Sequence, residues 1–191
     1  MERLAKQIMQ YINEEFSVSK PEQEILQFGI EAAIEIAINI VVSFLILWKM
    51  QMIVEGIIFF AVFIPTRMLA GGYHSKGYWQ CLIFSSVTLI MVMTLSKYVH
   101  FVKEILIILI LLMELLIGML GPIVNAERPV TRNEYIIFTK KLAKVFVVIA
   151  FFSIGLSCTK YYNLLNIVFL SLCLIFCSSI LGKIKYKQNQ I

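Results

Sequence analysis

RMLAGGYHSKGYWQC, residues 67–81, interrupts two long apolar runs and carries three glycines, a histidine and a cysteine. Glycine permits backbone that other residues adopt only at a cost. Gly71, Gly72 and Gly77 therefore predict a broken path. One helix ends near Ala70, a short loop carries His74, and a new helix starts near Tyr78 with Cys81 in its first turn. An unbroken helix would set His74 and Cys81 on one face but about 10.5 Å apart along the axis. That is well beyond hydrogen-bond reach. The break decides both the number of spans and whether these two side chains can meet.

Outward from this break, the chain is 60% hydrophobic and only 15% charged over 191 residues, with a mean hydropathy of +0.85. Soluble domains are usually about 45–50% apolar and about 25% charged. A water-soluble fold of this size cannot hide such an excess. The composition predicts an all-α, polytopic membrane protein in a lipid bilayer. Runs of about 20 mostly apolar residues mark spans. They fall near 30–48, 52–70, 78–96, 105–124, 145–159 and 164–182. The fifth is short, and can begin earlier through YIIFTKKLAK with its lysines reaching to the interface. Pro65 should kink or end the second span. No internal repeat or low-complexity tract divides residues 1–191, which read as one membrane domain. Residues 1–16 mix charge with apolar positions (Leu4, Ala5, Ile8, Met9, Ile12) at helical spacing and do not resemble a cleavable signal. They suit a helix lying on the membrane surface or one packed as in a soluble protein.

Six spans place Arg3, Lys6, Lys20, Arg67, Lys76, Arg128, Arg132, Lys140, Lys141, Lys144, Lys183, Lys185 and Lys187 on one side. Lys49, Lys97, Lys103 and Lys160 fall on the other. The positive-inside rule then puts both termini, and the loop carrying His74, on the cytoplasmic side of the cell membrane. The net charge of +5 reflects basic loops facing anionic lipid. No basic stripe alternates with stacking aromatics, so nucleic acid is not an expected partner.

Cys158, Cys173 and Cys177 lie in apolar runs and read as small buried hydrophobes. Neither a disulfide framework nor a metal pattern appears, and no cofactor is expected. Cys81 differs. The thiolate is the nucleophile, and a helix N-terminus favours an anion. A histidine folded back onto the sulfur would favour it further, and first-turn amides suit an oxyanion. The residues thus permit a Cys-His nucleophile. A His and a Cys in one loop of a membrane protein are, however, usually ordinary interfacial residues.

The pattern of Arg67, Gly71-Gly72, His74 and then Cys81 seven positions on resembles the signature of the accessory gene regulator protein B (AgrB) family. These are membrane-embedded cysteine endopeptidases of quorum sensing. Chain length, six spans and basic loops extend the likeness over nearly the whole chain. The resemblance implies a peptidase that removes the C-terminal tail of an AgrD-type propeptide and helps to close a thiolactone or lactone. It implies Cys81 as nucleophile, His74 as general base and then acid, and Gly71 and Gly72 as the turn that shapes the loop. The chain contains no Asp, so a Glu, Gln80 or a backbone carbonyl is left to orient the imidazole.

Polar residues inside spans need partners. Gln27, Glu31, Glu35 and Asn39 recur every fourth residue and form a stripe on the first span. The stripe suits a contact between helices or the lining of a substrate groove. Arg67 suits a substrate carboxylate, Glu114 or a lipid phosphate. Arg128, Arg132, Lys140 and Lys141 suffice as a positive-inside anchor and also suit an acidic propeptide tail. Polar spans in a compact chain suggest a homodimer. A small transporter or a non-catalytic scaffold is the competing class, though no inverted pair of broken helices appears.

Overall fold

The computed structural model describes residues 7–8, 11–12, 20–72, 77–99, 101–123 and 131–188. Among these residues every regular element is helical. Six long helices follow in order: α1 (Lys20–Met50), α2 (Ile53–Ala70), α3 (Tyr78–Tyr98), α4 (Lys103–Leu120), α5 (Arg132–Ser157) and α6 (Leu165–Gln188). A 3-10 turn at Tyr162–Leu164 leads into α6. Of the expected surface helix, only positions 7–8 and 11–12 are described, and they are helical.

Four segments are long and apolar enough to cross a bilayer: Ile25–Met50, Ile53–Ala70, Tyr78–Tyr98 and Tyr162–Lys185. The other two long helices carry more charge. α4 contains Lys103, Glu104 and Glu114, and the last 18 residues of α5 contain Lys140, Lys141 and Lys144.

Helix limits differ from the apolar runs for physical reasons. α5 begins at Arg132, well before the apolar run at 145, because Thr131 and Glu134 form a capping box. At 26 residues it is about 39 Å long, so its basic first half is free to extend beyond a core about 30 Å thick. α2 does not end at Pro65. It continues to Ala70 and stops at Gly71, whose φ of 73° and ψ of −156° lie in a region essentially reserved for glycine.

Two apolar clusters hold the helices together. One joins Val62 and Ala70 of α2, Leu106, Ile110 and Ile117 of α4, Leu142 and Ile149 of α5, and Leu165, Val168, Leu172 and Ile175 of α6. The other joins Leu47 of α1, Phe59 of α2, Leu89, Val92 and Met93 of α3, and Ile167 of α6. α6 enters both. Of its apolar window 44% is buried inside the protein, against 6% for α1. Large apolar side chains remain exposed around the outside: Ile36, Ile40 and Trp48 on α1, Ile108 and Leu115 on α4, Val148 and Phe151 on α5. A soluble monomer does not tolerate apolar surface on this scale. Lipid does, so the fold is that of a membrane protein.

Candidate active site

The site grows from the two ends of the broken path. The first end is pinned from three directions. Gly71 N–H donates to Arg67 O at 3.1 Å, and Ile123 N–H donates to Ala70 O at 2.9 Å. A Cβ on Gly71 would lie 2.6 Å from Ile123 O. Gly72, at φ 134°, has the Arg67 guanidinium against its Cα, with Ser178 Oγ of α6 3.0 Å from where a Cβ would stand. The two glycines are required here: their backbone is strained for other residues, and neighbouring chain fills the space. Just past α4, Gly121 (φ 68°) lies against the Tyr135 hydroxyl of α5. The ends of α2 and α4, the start of α5 and the Ser178 region of α6 therefore meet at one place.

The second end is the start of α3. Gly77, in extended conformation at φ −125° and ψ 140°, is its N-cap and supplies no side-chain bond. Cys81 N–H donates to Gly77 O at 3.0 Å. That bond closes the first helical turn, with the half-buried Cys81 as its fourth residue. The expected break between Ala70 and Tyr78 is present, and so is the expected place of Cys81. His74 lies outside the described residues, as does Arg128. Gln80 leans back over Gly77, with Oε1 3.9 Å from the position of a Gly77 Cβ.

The stripe on α1 finds its partner in α3. Ser85 Oγ donates to Asn39 Oδ1 at 3.0 Å, and Lys97 Nζ to Met50 O at 3.5 Å. The two pairs are 46 and 47 positions apart in sequence. An offset that changes by only one position over three turns means that α1 and α3 run parallel with little slip. Carried one and two turns back from Asn39 and Ser85, the offset of 46 sets Glu35 level with Cys81 and Glu31 level with Gly77. Gln27 Nε2 donates to Glu31 Oε1 at 3.1 Å, continuing the polar face. The stripe thus makes a helix–helix contact at Asn39 and runs on past the cysteine. Helix pairing is a tertiary fact, and no local pattern encodes it.

Tyr78, a residue the sequence did not single out, lies three positions before Cys81 and shares its face. Its hydroxyl is buried and makes no hydrogen bond. The spacing to Cys81 was the available signal. Ser178, which meets the Arg67 and Gly72 pair, gave none within its apolar helix.

Arg132, Lys140 and Lys141 are exposed on the first half of α5. Arg67 is directed toward Gly72 and Ser178 at the pinned end. Glu114 is 6% exposed, and its Oε1 has no hydrogen-bond partner.

The arrangement suits a nucleophilic thiol on the first turn of a helix, beside a polar wall and next to a glycine-shaped break. The comparisons with known proteins agree in extent. The family model described as Accessory gene regulator B matches residues 5–181. A putative AgrB-like protein of Clostridium perfringens (strain SM101 / Type A) is 26% identical over 172 residues, which cover 86% of this chain and 80% of that protein. No solved structure matches the chain. The family match takes in the break, Cys81 and every described helix except the last few residues of α6, and on it the chain belongs to the accessory gene regulator B family.

Proposed function

We propose that the chain is a membrane-embedded cysteine endopeptidase. It removes the C-terminal tail of an AgrD-type quorum-sensing propeptide and promotes closure of the remainder into a thiolactone or lactone. Membership of the family supports involvement in propeptide processing. The observation that carries the catalytic reading is the start of α3: Cys81 sits on the first turn behind Gly77, which offers no competing side-chain cap.

In this reading His74 takes the proton of the Cys81 thiol, and the thiolate attacks the scissile carbonyl carbon. A tetrahedral oxyanion forms near the N-terminal amides of α3, where positive partial charge collects. The C–N bond breaks, His74 returns the proton to the leaving amine, and the acyl group remains on Sγ as a thioester. A thiol or hydroxyl of the propeptide then attacks that thioester carbonyl. Its proton passes through His74 to Cys81, and the ring is released. Exchange of one thioester for another is nearly balanced, whereas hydrolysis runs downhill. A site that limits water and holds the ring-closing group nearby favours cyclisation.

Gly71 and Gly72 fix the path by which the chain leaves α2. Glu31, Glu35, Gln80 and Arg67 are candidate substrate-binding or orienting groups. Arg128, Arg132, Lys140 and Lys141 would receive an acidic tail. α4 and α5 complete six spans: their outer faces expose Ile108, Leu115, Val148 and Phe151, as lipid contact requires. The distribution of Lys and Arg supports cytoplasmic termini and a site toward the cytoplasm. A homodimer is the proposed assembly.

Co-expression with an AgrD-type propeptide, read by mass spectrometry, tests the reading. Wild type should release the tail and yield cyclic product. Cys81→Ser and His74→Ala should leave the propeptide intact. Tail release by Cys81→Ser would end the cysteine-peptidase reading in favour of a transporter or scaffold.

A further inference from the structure

Beside Cys81 a buried hydroxyl goes unused. Tyr78 Oη has no hydrogen-bond partner, although burying an unpaired hydroxyl is unfavourable. A phenylalanine would fill the same volume without that cost. The ring is held edge-on against Trp79, with centroids 5.4 Å apart. The residue is N1 of α3 and Cys81 is N4, so their side chains are neighbours on one helix face. Glu35 is set level with Cys81 by the parallel seam, and it forms no hydrogen bond with the hydroxyl. A phenol kept at this position has its donor free for an acceptor that arrives with substrate.

We propose that Tyr78 donates a hydrogen bond to the carbonyl oxygen of the peptide group attacked by Cys81. The proposal rests on the reading of Cys81 as the nucleophile. As the bond from Sγ to carbon forms, the carbonyl π pair moves onto oxygen, and that oxygen becomes a stronger acceptor. Tyr78 keeps its proton throughout and stabilises the charge by hydrogen bonding. As the C–N bond breaks, the pair returns to the carbonyl and the hydrogen bond weakens. The backbone amides of Tyr78 and Trp79 are further donors at the same helix start. Tyr78 is thus the side-chain member of an oxyanion site, and it contacts the reacting atoms only when the propeptide is bound.

The test is Tyr78→Phe in the full chain, reconstituted in lipid and assayed with an AgrD-type propeptide for kcat, KM and thermal midpoint. Loss of one oxyanion donor should lower kcat on the order of a hundredfold and leave KM within about twofold. The thermal midpoint should hold or rise, because no hydrogen bond of the free protein is removed. Three results overturn the proposal while Cys81→Ser is inactive: kcat within about threefold of wild type, a higher KM at unchanged kcat, or a lower thermal midpoint. The last would make the hydroxyl a structural group. If Cys81→Ser itself still cleaves, the cysteine reading fails, and the proposal falls with it for a distinguishable reason.

Discussion

Replacing Gly71 by Ala should cost far more than an ordinary surface substitution. Gly71 combines φ 73° with ψ −156°, and non-glycine residues held there are strained by roughly 1–3 kcal/mol. The added Cβ would also stand 2.6 Å from Ile123 O, closer than real Cβ atoms come. That oxygen is backbone and cannot rotate aside, so the 121–123 segment must shift. The bond from Ile123 N–H to Ala70 O, 2.9 Å long, would be weakened or lost at about 1 kcal/mol. Together the loss is roughly 2–4 kcal/mol, or a fall in thermal midpoint of roughly 5–15 °C for a chain of this size. Gly29 supplies the control. It lies inside α1 with nothing within 4 Å of a built Cβ, so Gly29→Ala should be neutral or stabilising by up to about 1 kcal/mol. Thermal unfolding of both variants in lipid nanodiscs, followed by circular dichroism, measures the contrast. Wild-type stability in Gly71→Ala, or equal losses in the two variants, would refute the argument from backbone strain.

Thr131→Ala removes the hydroxyl that accepts from Glu134 N–H, leaves the bond from the residue 131 N–H to the Glu134 carboxylate, and should destabilise the start of α5 by about 1 kcal/mol, seen as faster amide exchange at residues 132–136. Ser85→Ala deletes the bond to Asn39 and should cost about 0.6 kcal/mol, the scale of hydrogen bonds between membrane helices, read from the thermal midpoint. Lys140→Gln with Lys141→Gln should weaken binding of an acidic propeptide tail. Because both lysines are exposed, the wild-type affinity should itself fall as salt rises. Fluorescence titration at two ionic strengths checks both statements.

The break was legible because glycine is a backbone signal. Gly71-Gly72 and Gly77 announced where one helix stops and the next begins, and Cys81 followed into the first turn. The all-helical membrane character was legible from composition, for lipid accepts surface that water rejects. The start of α5 was obscured because residues 132–144 carry lysines that break the apolar run, while the helix itself is set by a cap. Pro65 did not end α2, since a proline more than three turns into a helix gives up one hydrogen bond without stopping the chain. The register of α1 on α3 and the meeting of Arg67 with Ser178 depend on which helices become neighbours. Sequence separation hides that, and it is why Glu35 could not be set beside Cys81 in advance.

The shared position of α6 bears on biogenesis. It contributes to both apolar clusters, yet of the described helices it is the last to leave the ribosome. Until it inserts, the five earlier helices have no common keystone. The nascent protein must wait in the bilayer half-assembled, its small buried polar groups facing lipid or a chaperone. A stop codon ahead of Leu165 would leave both interiors open at once, and the cell's membrane quality control should treat such fragments as unfolded, although the start of α3 and its cysteine would be fully present in them.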